Sequence, residues 1–113
     1  MGTTDDAVTR RIRTMNDNFR VTFVGGTIVF SQAVAELPLD LKARAILAVQ
    51  AFGAFDADND PHREHDFGSF QLAGDTYLFK IDYYNLDMSG GSTDPADPYV
   101  TNRVLTVMHV SEY

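Results

Sequence analysis

The sequence predicts an α+β fold, a small antiparallel sheet of two hairpins plus a C-terminal strand packed with two helices. Three observations predict it: an opening segment with helical apolar spacing, β-branched and aromatic runs punctuated by glycine, and an Ala- and Leu-rich stretch between them. At 113 residues, with 44% hydrophobic and 22% charged side chains, the chain suits one domain spanning residues 1–113 and argues against disorder.

In order, Thr3 or Thr4 is placed to cap a first helix, with Asp5 and Asp6 favourable in its first turn. Val8, Ile12, Met15 and Phe19 then recur at helical spacing, which predicts an amphipathic helix over 4–19, with Arg10, Arg11 and Arg13 off the stripe on a solvated face. Arg20–Val24 and Thr27–Phe30 flank Gly25-Gly26, the signal of a tight hairpin. Pro38 suits a helix start; Leu41, Ala45, Val49 and Phe52 form the stripe of a second helix over Leu39–Phe52, and Gly53 can end it. Phe70–Leu72 and Thr76–Tyr84, joined through Ala73-Gly74-Asp75, predict a second hairpin. Its longer strand puts Tyr77, Phe79, Ile81 and Tyr83 on one face and Leu78, Lys80, Asp82 and Tyr84 on the other. Residues 85–99 read as loop, and Thr101–Val110, rich in Thr and Val, as a last strand in preference to a helix.

Composition narrows the function classes. The absence of cysteine excludes disulfides, thiolate nucleophiles and Cys-ligated zinc. No apolar run is long enough to span a bilayer, and MGTTDDAVTRR lacks the hydrophobic region of a signal peptide, so a soluble cytoplasmic protein is expected. The net charge of -7 is uneven: residues 1–44 hold six basic and five acidic side chains, and residues 45–113 three basic and eleven acidic ones. Nucleic-acid phosphate needs the opposite sign over a broad face, so no direct nucleic-acid binding is expected; the acidic half suits a basic protein surface, a cation or plain solubility.

The densest chemistry lies in Asp56–Asp66, where five carboxylates and two histidines precede Phe67-Gly68. Asp56, Asp58 and Asp60 match the first ligand positions of an EF-hand, but Pro61 and Phe67 stand where its Gly and Glu belong, so a turn held by Asx-type hydrogen bonds is preferred and no metal or cofactor is expected. His62 and His65, three apart and beside Glu64 and Asp66, form only a weak transition-metal pattern. Lys80 and Asp82 share a strand face near Tyr84; such a pair transfers protons in a pocket and is otherwise a surface salt bridge. Asp66 approaching Lys80 across the hairpin would sharpen the first reading. Asp94-Pro95-Ala96-Asp97-Pro98 stiffens the last loop into a candidate contact surface.

In order along the chain, the blocks Asn16-Asp17-Asn18-Phe19-Arg20, Asn59-Asp60-Pro61, Glu64-His65-Asp66-Phe67-Gly68, Lys80-Ile81-Asp82-Tyr83-Tyr84, Asp94-Pro95-Ala96-Asp97-Pro98, Arg103-Val104-Leu105-Thr106 and Glu112-Tyr113 resemble a domain-of-unknown-function family. Its members are small acidic proteins, largely from alphaproteobacteria and often carried on plasmids or other mobile elements. The resemblance brings no catalytic residues with it. It implies a role in plasmid or phage biology, such as countering host defence.

Two functions follow as expectations. The preferred one is a non-enzymatic protein that docks on a basic protein surface, such as one that normally holds nucleic acid, through Asp58, Asp60, Glu64, Asp66, Tyr84, Asp94 and Asp97. The other is a small enzyme or metal-binding module in which Glu64, His65, Asp66, Lys80 and Asp82 converge on one pocket. The edge of so small an open sheet also leaves a homodimer open.

Overall fold

The computed structural model describes residues 6–113. Helix α1 spans Ala7–Thr22, strand β1 Thr27–Phe30, the one-turn helix α2 Gln32–Ala35, α3 Leu39–Ala51, β2 Phe67–Leu72, β3 Asp75–Tyr84 and β4 Asn102–His109, before a 3-10 turn over Val110–Glu112. The strands form one sheet in the order β1-β4-β3-β2, antiparallel except for β1, which runs parallel to β4. The class is α+β, as expected.

Asp6 caps α1, its carboxylate accepting the Thr9 amide at 2.7 Å; the expected caps Thr3 and Thr4 lie outside the described residues. The helix runs three residues beyond Phe19, so Arg20–Thr22 is its last turn and not the first strand of a hairpin. Phe23 closes it in the left-handed region at φ 59°, its amide bonding the Phe19 carbonyl. Gly25-Gly26 therefore joins a helix to an edge strand. Gly26 is needed for space: a Cβ there would lie 2.5 Å from the Arg103 carbonyl oxygen and 2.6 Å from the Phe19 ring. The hairpin signal misled because two glycines also serve where backbone must pass close under a side chain.

The second hairpin stands as expected, with Phe67 opposite Lys80 and Leu72 opposite Asp75. The run 101–110 is a strand throughout Asn102–His109 and lies at the centre of the sheet. All three helices cover one sheet face. Phe19, Val34, Ala45 and Val49 pack there against Tyr77, Phe79, Ile81, Leu105 and Val107. The α1 stripe is rotated from the expected one: Ile12, Asn16, Phe19 and Arg20 are buried, while Val8 is 55% exposed. The opposite face carries no helix. It presents Phe67, Leu78, Lys80, Asp82, Val104, Thr106 and Met108, with Tyr113 against Phe67 at 5.7 Å between ring centroids.

Gly68 is a second point of close approach, between two core rings. A Cβ there would meet the Phe79 ring at 2.6 Å and the Phe52 ring at 2.7 Å. Those two rings pack edge to face across it, 5.4 Å apart, which seats the end of α3 on the sheet. Gly68→Ala is expected to destabilise the fold by about 1–3 kcal/mol through overpacking. Gly90→Ala, with only the Asn85 side chain at 4.0 Å, should stay within about 0.5 kcal/mol. Urea unfolding of the two variants checks the contrast.

Candidate functional site: two acidic loops on a buried polar hub

Strand directions bring β2's start, β3's end and β4's start to one end of the sheet. The two longest connections, 52–66 and 85–101, both meet there. Between them they hold Asp56, Asp58, Asp60, Glu64, Asp66, Asp87, Asp94 and Asp97, against one basic side chain, Arg63.

Both loops hang from one buried group. Asn16, in the middle of α1, is fully buried. Its Nδ2 donates to the Glu64 carbonyl oxygen at 2.9 Å and to Tyr83 Oη at 2.7 Å, while its Oδ1 accepts from Arg103 Nε at 2.8 Å. Tyr83 Oη donates in turn to the Glu64 carboxylate at 2.7 Å. Arg103 faces Tyr83 across β3 and β4, lies 5.1 Å over its ring, and donates to the Pro95 carbonyl. Burial, and next the hydrogen bond to Glu64, push the Tyr83 hydroxyl far above its ordinary range. It stays a donor, because ionising it would set a phenolate against a carboxylate. Burial also lowers the Arg103 guanidinium, against the opposing pull of Tyr83 and Glu64.

A second chain of contacts fixes the first loop. Arg20 Nη1 donates to Asp17 Oδ1 at 2.9 Å, and the same oxygen meets His65 Nδ1 at 2.8 Å. The His65 ring stacks on Phe55, with centroids 3.8 Å apart and planes 4° from parallel. Buried Asp60 accepts the His65 amide at 3.1 Å. These contacts hold His65 at φ 55°, a conformation L residues rarely adopt. Arg20 is also buried; its Nη2 reaches the Phe52 carbonyl at 3.2 Å. Its Nε, with no hydrogen-bond partner among the described residues, belongs to a guanidinium lying 5.1 Å and 5.8 Å from the Phe55 and Phe79 rings.

The acidic run 56–60 is a turn held by its own side chains: Asp56 Oδ1 accepts the Asp58 and Asn59 amides at 2.9 Å. Asp94 and Asp97 accept the Ala96 and Tyr99 amides at 3.2 and 2.9 Å, and Arg11 Nε donates to the Ala96 carbonyl at 2.8 Å. Asp56, Asp58, Asp87 and Asp94 are exposed, Glu64, Asp66 and Asp97 half-buried. Among the described residues no three His, Asp or Glu side chains are grouped to hold a metal ion.

The residues singled out for catalysis do not share one pocket. His65 lines a hollow of about 240 Å³ on the helix side with Arg13, Arg63 and Asp60. Lys80 and Asp82 form an ion pair and line a hollow of about 280 Å³ with Asp66 and His62. They point to the opposite sheet face because they alternate with the inward Phe79 and Ile81. Glu64 is bound to Tyr83 in the hub, and Tyr84 pairs with Asn102 and bridges to Gly91. So Asp66 and Lys80 come together, as do His62 and Asp82, while His65 does not join them.

Asn16, Asp17, Arg20, Tyr83 and Arg103 were not singled out from the sequence as site residues. A signal was there: Asn16 and Arg20 follow Ile12 at intervals of four, which places polar groups on a buried stripe.

A family model described as protein of unknown function (DUF3768) matches residues 30–112. No curated protein and no solved structure matches the chain. Glu64, Tyr83 and Arg103 of the hub lie inside the matched stretch, and Asn16 precedes it.

Asp17→Ala is expected to cost about 1–3 kcal/mol, since it strips two cationic or imidazole donors of their acceptor. Asp58→Ala should stay within about 0.5 kcal/mol; thermal and urea unfolding compare them. Asp66 titrates above its ordinary range, chiefly from burial and then from the neighbouring Glu64 charge. The folded state therefore holds the Asp66 proton more tightly than the unfolded chain, and stability falls as pH rises through the raised value. Asp66→Asn should be more stable than the parent at neutral pH. That advantage should vanish below an unfolded aspartate's value of about 3.9, as followed by unfolding at pH 3 to 7.

Proposed function

The chain belongs to the DUF3768 family, and we propose that it works as an acidic protein-binding module whose partner offers a basic surface. The observation that carries this reading is the convergence of both carboxylate-rich loops at one end of the sheet. Their backbones are fixed from within by Asn16, Arg103 and Arg11. Exposed Asp56, Asp58, Asp87 and Asp94 are thus held as an ordered charge pattern, which favours steered and selective docking over plain solubility. Tyr99, 86% exposed beside Asp97, adds the kind of aromatic anchor that protein interfaces favour.

A protein surface that ordinarily holds nucleic-acid phosphates has the matching charge. The reading extends accordingly to an inhibitor of a host nucleic-acid-processing or defence complex, the role implied by the resemblance to mobile-element proteins. Glu64 and Asp60 support the surface from behind more than they form it, because both are engaged internally. The helix-face hollow, where Arg13 and Arg63 are balanced by Asp56 and Asp60, lacks the net negative charge that would draw a basic partner.

Crosslinking in extract of the protein's own host cell, with the parent and with Asp56→Asn/Asp58→Asn/Asp87→Asn/Asp94→Asn side by side, tests this. The parent should trap a protein with a basic surface, duplex DNA should compete for it, and the quadruple variant should lose it. Equal recovery by both forms would contradict the reading.

A further inference from the structure

We propose that the hollow on the helix-free sheet face, beside the packed rings of Phe67 and Tyr113, receives a lysine or arginine side chain of the partner, with Asp66 as its counter-charge. The inference rests on the docking reading above and names the contact that would give it specificity.

Phe67 and Tyr113 stand 5.7 Å apart with planes tilted 56° and line a hollow of about 280 Å³ together with Asp66, Lys80 and Asp82. Two aromatic walls beside carboxylates are the surroundings that stabilise a guanidinium or ammonium group, through ring quadrupole and charge together. Lys80 is paired with Asp82, so these two charges satisfy each other. Asp66 is left: no lysine or arginine pairs with its carboxylate among the described residues, and it is faced by its own backbone amide and by His62, which also lines the hollow. The hollow therefore carries net negative charge.

The energetics of Asp66 point the same way. Half-burial and the nearby charges of Glu64 and Asp60 oppose its ionised form. An incoming cation would relieve that opposition, whereas an anion would add to it. Position favours a partner's side chain: the hollow opens on the face that no helix covers and adjoins the start of β2, where the first acidic loop ends. Tyr113 is 75% exposed, so a cation can reach the space beside it without displacing the core.

The test is a titration of the full-length, nitrogen-15-labelled protein with capped Gly-Arg-Gly and Gly-Lys-Gly peptides, followed by amide shifts. Capped peptides with citrulline or norleucine in place of the cation serve as controls. Saturable shifts at Phe67, Lys80 and Tyr113 are expected with the cationic peptides only. Asp66→Asn should weaken them about fivefold or more, and Tyr113→Ala, at an exposed position, about two- to fivefold. Shifts confined to residues 85–101 and untouched by Asp66→Asn would overturn the pocket while leaving the acidic-surface reading intact. No saturable shift at Phe67 or Tyr113 overturns the pocket as well, and the crosslinking comparison then judges the broader reading alone.

Discussion

A buried asparagine with every polar atom satisfied is the constraint on which the rest of this structure depends. Placing an amide at the centre of a helix, out of reach of water, costs several kcal/mol unless partners are provided. Asn16 has a partner for each capacity: both Nδ2 hydrogens go to Glu64 and Tyr83, and Oδ1 receives Arg103. The partners lie on the first acidic loop, on β3 and on β4, and Arg103 passes the connection on to Pro95 in the second loop. Such a network tolerates no substitute geometry, because any shift of one loop leaves a buried donor or acceptor unmet. It thereby decides where both loops sit.

The acidic surface follows from that placement. Gathering like charges at one end of a sheet is unfavourable in itself, and a flexible arrangement would spread them. Here the carbonyls of Glu64, Pro95 and Ala96 are held by Asn16, Arg103 and Arg11, so the backbone is anchored without neutralising the carboxylates. Exposed Asp56 and Asp94 and half-buried Asp97 are held in place by accepting backbone amides of their own loops. The charge stays outward and ordered. On the helix-free face the same logic leaves Asp66 beside two aromatic rings.

How much of this was legible in the sequence differs from element to element. The β2–β3 hairpin and α3 could be read, because alternation and helical spacing report burial directly. The C-terminal strand could be read too, since Thr and Val outweighed the helical alternative. The parallel edge strand could not. Thr27–Phe30 pairs with residues some 75 positions later, and local spacing carries no trace of such a partner. Gly26 answers to the ring of Phe19 and the backbone of Arg103, a close approach that only the assembled fold creates. The site was half legible: carboxylate density marked both loops, but the expected convergence of His65 with Lys80 and Asp82 fails on strand alternation. The hub was hidden because Asn16 looks like an ordinary polar helix residue until Ile12 and Arg20 define the buried stripe.

Native-state hydrogen exchange across a range of low denaturant concentrations tests the dependence on the hub most directly. The amides of Asp60, Arg63 and His65 in the first loop and of Ser92, Ala96 and Asp97 in the second are the reporters, each bonded within or beside its loop. If Asn16 and its partners hold both loops as one unit, these amides open with a common free energy and a common denaturant dependence. Opening of one loop well below the other would contradict the account.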